Sequence, residues 1–377
     1  MKACMDQIGT TVSLRNNLDI LMREQPETKT ILLLAAEKNS ISDQQYCEIF
    51  KSYPVKILGG IFPKVLYSDL ILEQGHVIVG LEYEMKHYLI EGLNDIDTDL
   101  EKSLSSAVAH LHPARSLLLL MDGFSRRIGD LLSSIYDHFG ADYTYVGGGA
   151  GRTSMTQTPC IFADNAVHEG KALLIGSYRN INVTVEHGYQ VFSGPYIATK
   201  SQDNVIDKID YTEAYDFYSK ILKEKCNFDI NFQELGKYSK RFPIGIEKFD
   251  GTIIVRDPLF SNGKNIRCIG QIPEDSVIHI LEGVEQNLIK AAEAGTKKMK
   301  SKAPNYDIYL IIDCYNRLSY LGQEHYSECL KSINKNAPEC SLPIIGVFSL
   351  GEIASDGTRA LEFYSKTIVQ CGWKQAS

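Results

Sequence analysis

With 377 residues, the chain is longer than one ordinary core requires, and about two domains are expected. Its formal net charge of -8 argues against a nucleic-acid-binding surface. Its nine cysteines are scattered and form no Cys-x-x-Cys pair, so neither a zinc site nor a disulfide framework is expected. Since the first residues lack the apolar core of a signal peptide and no apolar run approaches the roughly 20 residues that cross a bilayer, we predict a cytoplasmic protein with reduced thiols and no membrane insertion.

One pattern occurs three times along the chain: an apolar strand-like run, a polar turn, a helical stretch and a glycine-containing run. The copies extend from Thr30 to Phe62, from Ser116 to Gly151 and from Tyr309 to Phe348. Strand–helix–strand units place their loops at the carboxyl ends of the strands, where sheets bind ligands. Glycines allow the backbone to approach a ligand closely. The three copies therefore predict a composite ligand site.

The second copy has the clearest helix signal. Apolar residues at helical spacing run from Ile128 to Phe139, Ser125 is placed to cap the helix and Gly140 to end it. The same spacing predicts the apolar face of the third helix, formed by Leu321, His325, Cys329, Leu330 and Ile333.

Segments between the copies predict further elements. Residues 69–81, with a turn at Gln74-Gly75, and residues 171–186 are typical of β-hairpins, and their alternation predicts sheets with one half-covered face. Helices are predicted at Glu213–Cys226, with Asp210 as a cap, and at Glu282–Met299. The polar stretch between these helices places a domain boundary between residues 1–234 and 235–377. The predicted fold class is α/β, with mixed sheets flanked by helices.

Short motifs in both halves carry a family resemblance. In the first half they are Gly59-Gly60, Val146–Ala150, His187-Gly188 and Gly194–Thr199. In the second half they are Phe242–Gly245, Ile254–Pro258, Gly270–Pro273, Asp313–Arg317 and Gly346–Ile353. On these motifs the chain resembles the FIST family, with a FIST N-like domain, whose core starts at about residue 30, and a FIST C-like domain. The chain departs from the family pattern at Asn316, where the family has glycine, and at Ser365, where it has asparagine.

The resemblance implies a sensory input module of signal transduction that binds a small ligand such as an amino acid. It also implies a separate output protein of the kinase, cyclase or chemoreceptor type. Some relatives bind haem and sense nitric oxide. The residues themselves predict no cofactor, and a haem-based sensor is the alternative, with His187 at the family's His-Gly position as the candidate axial ligand.

Candidate ligand-binding residues follow the apolar strands. Gly147, Gly148 and Gly149 would present backbone N–H groups to an anion, or would allow strands to pack closely. Arg256 would clamp a carboxylate, or would pair with Asp257 to fix the end of a strand.

The third copy supplies the remaining candidates. Arg317 would bind a ligand carboxylate, and Gly351-Glu352 would place a carboxylate to accept an ammonium group. Cys314, with Arg317 nearby, is either an inert buried thiol or the nucleophile of a cysteine-dependent hydrolase or transferase. The sequence favours a binding protein over an enzyme, because no local histidine provides Cys314 with a base.

Overall fold

The structure is a computed structural model that describes residues 1–154, 156–355 and 360–373. Three repeats of one unit form the body of the protein, and a further domain is inserted into the third repeat. Among the described residues, no helix is both long and apolar enough to span a membrane.

The first two repeats have the same order of elements. The first consists of β1 (Lys2–Asp6), α1 (Thr11–Glu24), β2 (Thr30–Ala36), α2 (Asp43–Lys51), β3 (Lys56–Phe62), β4 (Lys64–Tyr67), β5 (Leu70–Leu72) and β6 (His76–Leu81). The second consists of β7 (Lys86–Ile90), α3 (Leu100–Leu111), β8 (Ser116–Asp122), α4 (Ile128–Phe139), β9 (Thr144–Ala150), β10 (Ile161–Ala163), β11 (Ala166–His168) and β12 (Ala172–Ser177).

The third repeat begins with β13 (Ile181–Glu186) and continues after the inserted domain. The inserted domain consists of β14 (Gln190–Ile197), β15 (Lys200–Gln202), β16 (Val205–Ile209), β17 (Thr212–Glu213), α5 (Ala214–Cys226), a 3-10 helix (Phe232–Glu234), α6 (Leu235–Ser239), β18 (Ile244–Glu247), β19 (Ile253–Ser261), β20 (Ile266–Ile269) and β21 (Val277–Glu282). The repeat then resumes with α7 (Glu285–Lys302), β22 (Asn305–Tyr306), β23 (Ile308–Cys314), α8 (Tyr315–Asn336), β24 (Glu339–Cys340), β25 (Ile345–Ser349), β26 (Glu352–Ser355), β27 (Glu362–Tyr364) and β28 (Ile368–Trp373).

Each repeat contributes four strands to one six-stranded mixed sheet, and the three sheets have matching strand orders. The first sheet has the order β1-β6-β2-β3-β10-β11, the second β7-β12-β8-β9-β26-β27 and the third β13-β28-β23-β25-β4-β5. The two strands of the strand–helix–strand unit are parallel in every sheet, and their neighbours are antiparallel. The inserted domain forms a separate antiparallel sheet, with the order β14-β21-β18-β19-β20-β16-β15.

The last two strands of every sheet form a hairpin that comes from a different repeat. The hairpin β4–β5 of the first repeat pairs with β25 of the third. The hairpin β26–β27 of the third repeat pairs with β9 of the second, and β10–β11 of the second pairs with β3 of the first. The exchange closes into a ring, so each sheet is completed by another repeat.

Matching hydrogen bonds establish which residues are equivalent between repeats. In the first repeat the backbone N–H of Ala36 donates to the carbonyl of Gly75. The N–H of Asp122 donates to the carbonyl of Lys171 in the second repeat, and the N–H of Cys314 donates to the carbonyl of Thr367 in the third. The nitrogen–oxygen distance is 3.0 Å in all three bonds. Ala36, Asp122 and Cys314 therefore occupy the same position, at the carboxyl end of the first parallel strand.

Alternate residues of these central strands face two different cores. The inward side of all three sheets contributes to one shared cluster, which includes Leu32, Leu34, Leu118, Leu120, Leu310 and Ile312. The outward residues of β8 pack with α3 and α4, and those of β23 pack with α7 and α8. Both faces of the central strands are thus buried, as expected for strands with nearly continuous apolar sequence.

The predicted α/β class, with mixed sheets and three strand–helix–strand units, is confirmed. The helices predicted at Ile128–Phe139 and Glu213–Cys226 are α4 and α5, and Gly140 ends α4 with a φ of 83°. Ser125 does not cap α4, whose N-cap residue is Arg127. The cap predicted at Asp210 is also wrong, because its carboxylate accepts the N–H of Ile197 instead, 2.9 Å away.

The two predicted hairpins are wrong. Strand β5 pairs with β4, whereas β6 pairs with β1 and β2; likewise β12 lies in the second sheet and β13 in the third. The physical reason is burial on both faces: every residue of β6 and of β12 is buried, so each is a central strand and not half of a one-sided hairpin. A turn signal is local, whereas the choice of strand partner depends on distant apolar faces.

The apolar face predicted for α8 is correct except at His325. Leu321, Cys329, Leu330 and Ile333 are buried, but the His325 side chain is 42% exposed. Gly322, with a φ of 69°, interrupts the helix and rotates the residues that follow it. Tyr326 therefore takes the inner position that the uninterrupted spacing gives to His325.

Candidate ligand site between the third repeat and the inserted domain

Cys314 lies where a strand becomes a helix. It is the last residue of β23 and the residue before the first turn of α8, and its thiol is buried. Burial raises the pKa of the Cys314 thiol well above its ordinary value, and the Glu352 carboxylate adds to that shift, while the Lys366 ammonium and the backbone N–H groups of Lys366 and Arg317 oppose it. In this closed arrangement the thiol is neutral.

Glu352 lies across the end of β23, beside Cys314. One carboxyl oxygen, Oε2, accepts the N–H of Thr367 at 3.2 Å and its hydroxyl at 2.8 Å. The other, Oε1, is 2.7 Å from the hydroxyl of Ser349, which is itself 3.3 Å from the carbonyl of Asp313. Ser349 is the register partner of Cys314 on β25, and Thr367 bonds to the Cys314 N–H from the other side. The carboxyl group is therefore bound between the two residues that flank Cys314 in the sheet.

Burial raises the pKa of Glu352 from its ordinary value of 4.5 to about 8, although the bonds from Ser349 and Thr367 oppose the shift. A protonated carboxyl group fits the contacts, since the single hydroxyl proton of Ser349 can serve the Asp313 carbonyl while Ser349 accepts the Glu352 proton.

A buried ion pair joins this group to the inserted domain. The ammonium nitrogen of Lys366 is 3.1 Å from Oδ2 of Asp257, and both side chains are almost completely buried. The carboxylate of Asp257, on β19, also accepts the amide N–H of Asn316 at 2.8 Å and the hydroxyl of Ser239 at 3.0 Å. Buried lysine and aspartate side chains are rare unless they are paired, so this contact closes the boundary between the third repeat and the inserted domain.

Lys366 has a backbone conformation that disfavours lysine. Its φ is 56°, in the left-handed region. By the repeat alignment Lys366 corresponds to Gly170, whose φ is 63°. The second repeat thus has glycine where the third has lysine. The left-handed backbone at Lys366 lowers the free energy of unfolding by an amount of the order of 1 kcal/mol. Strain of this kind is often found at functional sites.

A second polar group lies on the opposite, helix-facing side of β23. The guanidinium of Arg317 donates to Oδ2 of Asp313 at 2.7 Å and to the carbonyl of Leu288 at 2.8 Å. The hydroxyl of Tyr326 donates to the same Asp313 oxygen at 2.6 Å. These contacts hold α8 and α7 against the strand, so the geometry gives Arg317 a structural role, and ligand binding by it stays a prediction.

Arg256 lies next to Asp257 in sequence, but its side chain forms hydrogen bonds with backbone carbonyl groups. Its guanidinium donates to the carbonyls of Gln271 at 2.8 Å and Phe363 at 2.9 Å. It thereby fastens the inserted domain to the hairpin β26–β27. The predicted clamp on a ligand carboxylate is not visible in these contacts and stays a prediction.

The glycines border the site through close packing. A Cβ atom on Gly147 would lie 1.9 Å from the carbonyl oxygen of Leu119, and one on Gly149 would lie 2.3 Å from that of Leu350. Gly148 is the register partner of Glu352, which places β9 directly beside the carboxyl-bearing strand. Gly351, with a φ of 93°, packs under the ring of Phe363. Their geometry matches the close-packing alternative, and a ligand-binding role of the glycine backbone stays a prediction.

His187 is half-buried and lies in the turn before the inserted domain. Its Nδ1 accepts the N–H of Tyr189 at 3.0 Å, and burial lowers its pKa to about 4, so the ring is neutral. The adjacent Gly188 packs on α7, where an added Cβ atom would be 2.7 Å from the α-carbon of Leu288. This packing does not fit a porphyrin on that side of the histidine. The haem alternative gains no support from the geometry and stays a prediction.

Sequence reasoning missed several members of the site. The group is completed by Ser349, Lys366 and Thr367, for which the sequence predicts no role, and by Asp257, which it predicts only as a partner of Arg256. Lys366 and Thr367 directly follow Ser365, where the chain departs from the family pattern, and this proximity is the available signal. Among the described residues, no group of three or more His, Cys, Asp or Glu side chains could hold a metal ion.

Replacement of Glu352 by glutamine is expected to change how stability depends on pH. Because the folded protein raises the pKa of Glu352 to about 8, folding binds a proton, and the parent loses stability as the pH rises from about 4.5 through 8. The loss is of the order of 5 kcal/mol in total. The glutamine variant lacks this titration, although Asp313, Cys314 and Lys366 still face the group.

Urea unfolding of both proteins at pH 5 and pH 8 measures the difference. Glu362→Gln, which alters the surface pair with Lys248, provides a matched control and should keep the parent's pH dependence. If the free energy of unfolding changes equally between pH 5 and pH 8 in the parent and in the Glu352 variant, Glu352 is ionised in the folded protein.

Two protein-family profiles match the chain and together span most of it. The FIST N domain matches residues 26–212, and the FIST C domain matches residues 214–355. No curated protein matches the chain. The two matched regions meet next to α5, and the boundary predicted between residues 234 and 235 stays a prediction.

Proposed function

Because this chain belongs to the family that combines a FIST N domain with a FIST C domain, we propose that it is a cytoplasmic small-ligand sensor of signal transduction. Its ligand binds where the third repeat meets the inserted domain. The ligand class is a small metabolite that carries both a carboxylate and an ammonium group, such as an amino acid. The signal passes to a separate output protein of the kinase, cyclase or chemoreceptor type.

The buried pair between Lys366 and Asp257 is the observation that supports this site. An ammonium and a carboxylate, held 3.1 Å apart and away from water, offer one partner for each end of a zwitterion. A ligand carboxylate would replace Asp257 beside Lys366, and a ligand ammonium would replace Lys366 beside Asp257. Such an exchange keeps both protein charges compensated, which burial requires.

The same exchange provides a route for a signal. Asp257 belongs to the inserted domain, whereas Lys366 and Asn316 belong to the third repeat. A ligand that separates the pair changes the contact between these two bodies. The equilibrium shifts only as far as the ligand prefers the separated arrangement, so the protein responds to differential affinity and not to binding alone.

A thermal-shift panel of free amino acids tests the proposal. A ligand at 100 times its dissociation constant is expected to stabilise the folded protein by about 2.7 kcal/mol and to raise the unfolding midpoint. The double variant D257N/K366M removes both charges together and should lose the shift. Lys248→Met breaks an ion pair between the same two bodies that is partly exposed, and should keep it.

The results of this panel test the ligand class and the position of the binding site separately. A ligand that shifts the parent and the double variant equally would place the binding site elsewhere. A panel without any shift would overturn the amino-acid class.

A further inference from the structure

We propose that the inserted domain moves as a rigid body about a two-stranded hinge, formed by residues 187–189 and 283–284, and that it opens where Asp257 meets Lys366. This inference rests on the proposed function only in taking that ion pair as the ligand site. The motion itself needs no ligand, so it can be tested without one.

The inserted domain has a hydrophobic core of its own. Fifteen buried residues form one cluster, and all of them lie between Ala198 and Ile280, within this domain. Three other buried residues of the domain pack instead in the clusters of the repeats: Ile254, Val255 and Leu281. Because most of its apolar residues pack against one another, the domain can keep its internal structure while its position changes.

The chain enters and leaves the inserted domain at two adjacent points. Gln190 pairs with Glu282 at the end of the β14–β21 ladder, so Tyr189 and Gly283 lie side by side. The two segments are in close contact, since a Cβ atom on Gly283 would be 2.7 Å from the ring of Tyr189. Two neighbouring segments of a few residues each are the usual construction of a hinge between rigid bodies.

Comparison of the repeats shows that the insertion occupies a turn. Gly9, Gly92 and Gly188 each follow the first strand of a repeat, and their φ angles are 68°, 76° and 80°. In the first repeat, α1 begins two residues after this glycine, at Thr11. In the third repeat, the whole inserted domain lies between the glycine and α7, which begins at Glu285. The elements of the third repeat therefore follow the same order with or without the inserted domain.

Away from the hinge, side chains join the inserted domain to the repeats. In the described part of the chain, a backbone–backbone hydrogen bond runs from Gly283 to the carbonyl of Arg241 at the hinge, and no other joins residues 190–282 to the repeats. The side-chain contacts include those of Asp257 with Lys366 and Asn316, of Arg256 with the Phe363 carbonyl, of Lys248 with Glu362 and of Lys240 with Ser319. These contacts can separate without breaking a sheet.

The ion pair between Asp257 and Lys366 is compatible with such a motion. Both side chains are almost completely buried in the closed arrangement, 3.1 Å apart. When the domain moves away, water solvates both charges, so neither stays buried without a partner. Removal of one charge alone has a different effect, because it leaves the other charge buried and unpaired in the closed arrangement only.

The buried thiol of Cys314 lies at the boundary that would open. Asn316, two residues later in the chain, donates to Asp257. The backbone N–H of Cys314 donates to the carbonyl of Thr367, the residue after Lys366. Separation of Asp257 from Lys366 is therefore expected to expose the Cys314 thiol to reagents.

Two further buried thiols lie inside the two bodies. Cys268 belongs to the core of the inserted domain, and Cys371 belongs to the cluster that the three repeats share. A rigid-body motion leaves both covered. Unfolding of the inserted domain would expose Cys268 as well, and global unfolding would expose all three thiols.

Labelling of the intact full-length protein with N-ethylmaleimide, followed by peptide mass mapping, tests the proposal. We expect Cys314 to react at least about 10-fold faster than Cys268 and Cys371, because a sub-global opening costs less free energy than unfolding. Equal rates for Cys314 and Cys268 would mean that the inserted domain unfolds, and would overturn the rigid-body motion. Equal rates for Cys314 and Cys371 would mean that only global unfolding exposes Cys314, and would also overturn it.

A variant of the ion pair tests where the domain opens. Asp257→Asn should raise the labelling rate of Cys314 by about 100-fold or more at neutral pH, because Lys366 then lacks its counter-charge in the closed arrangement. Lys248→Met breaks the partly exposed pair with Glu362 and should raise that rate by no more than about fivefold. An unchanged Cys314 rate in the Asp257 variant would overturn the role of this pair in the motion.

A second variant tests the position of the hinge. The hydroxyl of Tyr320, on α8, donates to the carbonyl of Gly283 at 2.7 Å. Tyr320→Phe should raise the labelling rate of Cys314 by about 2- to 10-fold, the factor expected for the loss of one hydrogen bond. Tyr306→Phe removes a bond to the Met299 carbonyl within the third repeat and should leave the rate unchanged. Equal rates in the parent and the Tyr320 variant would overturn the hinge at Gly283.

Circular dichroism of each variant shows whether it is folded. If Cys314 is labelled as expected while no amino acid shifts the unfolding midpoint, the motion stands and the proposed ligand class falls. If amino acids shift the midpoint while Cys314 reacts no faster than Cys371, the sensing function stands and the hinge motion falls.

Discussion

Replacement of Asp257 by alanine is expected to lower the free energy of unfolding by about 3–5 kcal/mol, because it leaves a buried lysine without its counter-charge. The Lys366 ammonium is completely buried and lies 3.1 Å from Asp257. The same carboxylate accepts hydrogen bonds from Asn316 and Ser239, and both donors lose their acceptor in the variant. Urea unfolding at neutral pH measures the loss.

Two further variants test whether the effect comes from the unpaired charge. D257N/K366M removes both charges and should recover a large part of the stability lost in the single variant, since replacing a buried pair is often nearly neutral. Lys248→Met breaks the partly exposed pair with Glu362 and should cost no more than about 1 kcal/mol. A single Asp257 variant as stable as the parent would contradict the stabilising role of this buried pair.

Replacement of Arg317 by methionine is expected to lower the free energy of unfolding by a similar amount, about 3–5 kcal/mol at neutral pH. The change leaves Asp313 buried with Tyr326 as its hydrogen-bond donor, and removes the bond to the Leu288 carbonyl that holds α7. Burial already raises the pKa of Asp313, and Arg317 opposes the shift, so the variant should raise that pKa further.

The cost should therefore depend on pH. In the variant, Asp313 binds its proton more tightly in the folded state than in the unfolded state, so stability is retained in acid and is lost as the pH rises above the ordinary carboxyl range. Urea unfolding at pH 4 and pH 7 measures this slope. D313N/R317M removes the carboxylate as well, so its stability should change with pH only as far as Glu352 contributes. A dependence on pH equal to that of the single variant would contradict this assignment.

The sequence predicted local structure better than strand partners. The apolar periodicity of α4 and the glycine that ends it are visible in a window of a dozen residues, and both are correct. The pairing of β6 with β1 and β2 depends on residues far away in the chain, and no local signal distinguishes a central strand from half of a hairpin. The exchanged hairpins were unpredictable for the same reason.

The candidate site was predicted in part. Cys314 and Glu352 were identified because each follows a strand-like run near glycines or an arginine. Their proximity depends on β26 crossing to the second sheet, which the sequence does not show. Asp257 was interpreted as a possible partner of the adjacent Arg256, but neighbouring residues of a strand point to opposite faces. Its true partner, Lys366, is in a turn whose left-handed backbone sequence spacing does not reveal.

The ring of exchanged hairpins also determines whether the two matched domains can be separated from each other. Without the last hairpin, β9 would become a glycine-rich edge with unpaired backbone groups, and such edges invite aggregation. Without the first hairpin, β25 would lose its partner β4 in the same way. Neither matched domain contains all the strands of its own sheets, so we expect neither to complete its sheets when it is transplanted alone. A recombination event between them would succeed only if both halves came from parents with compatible hairpins.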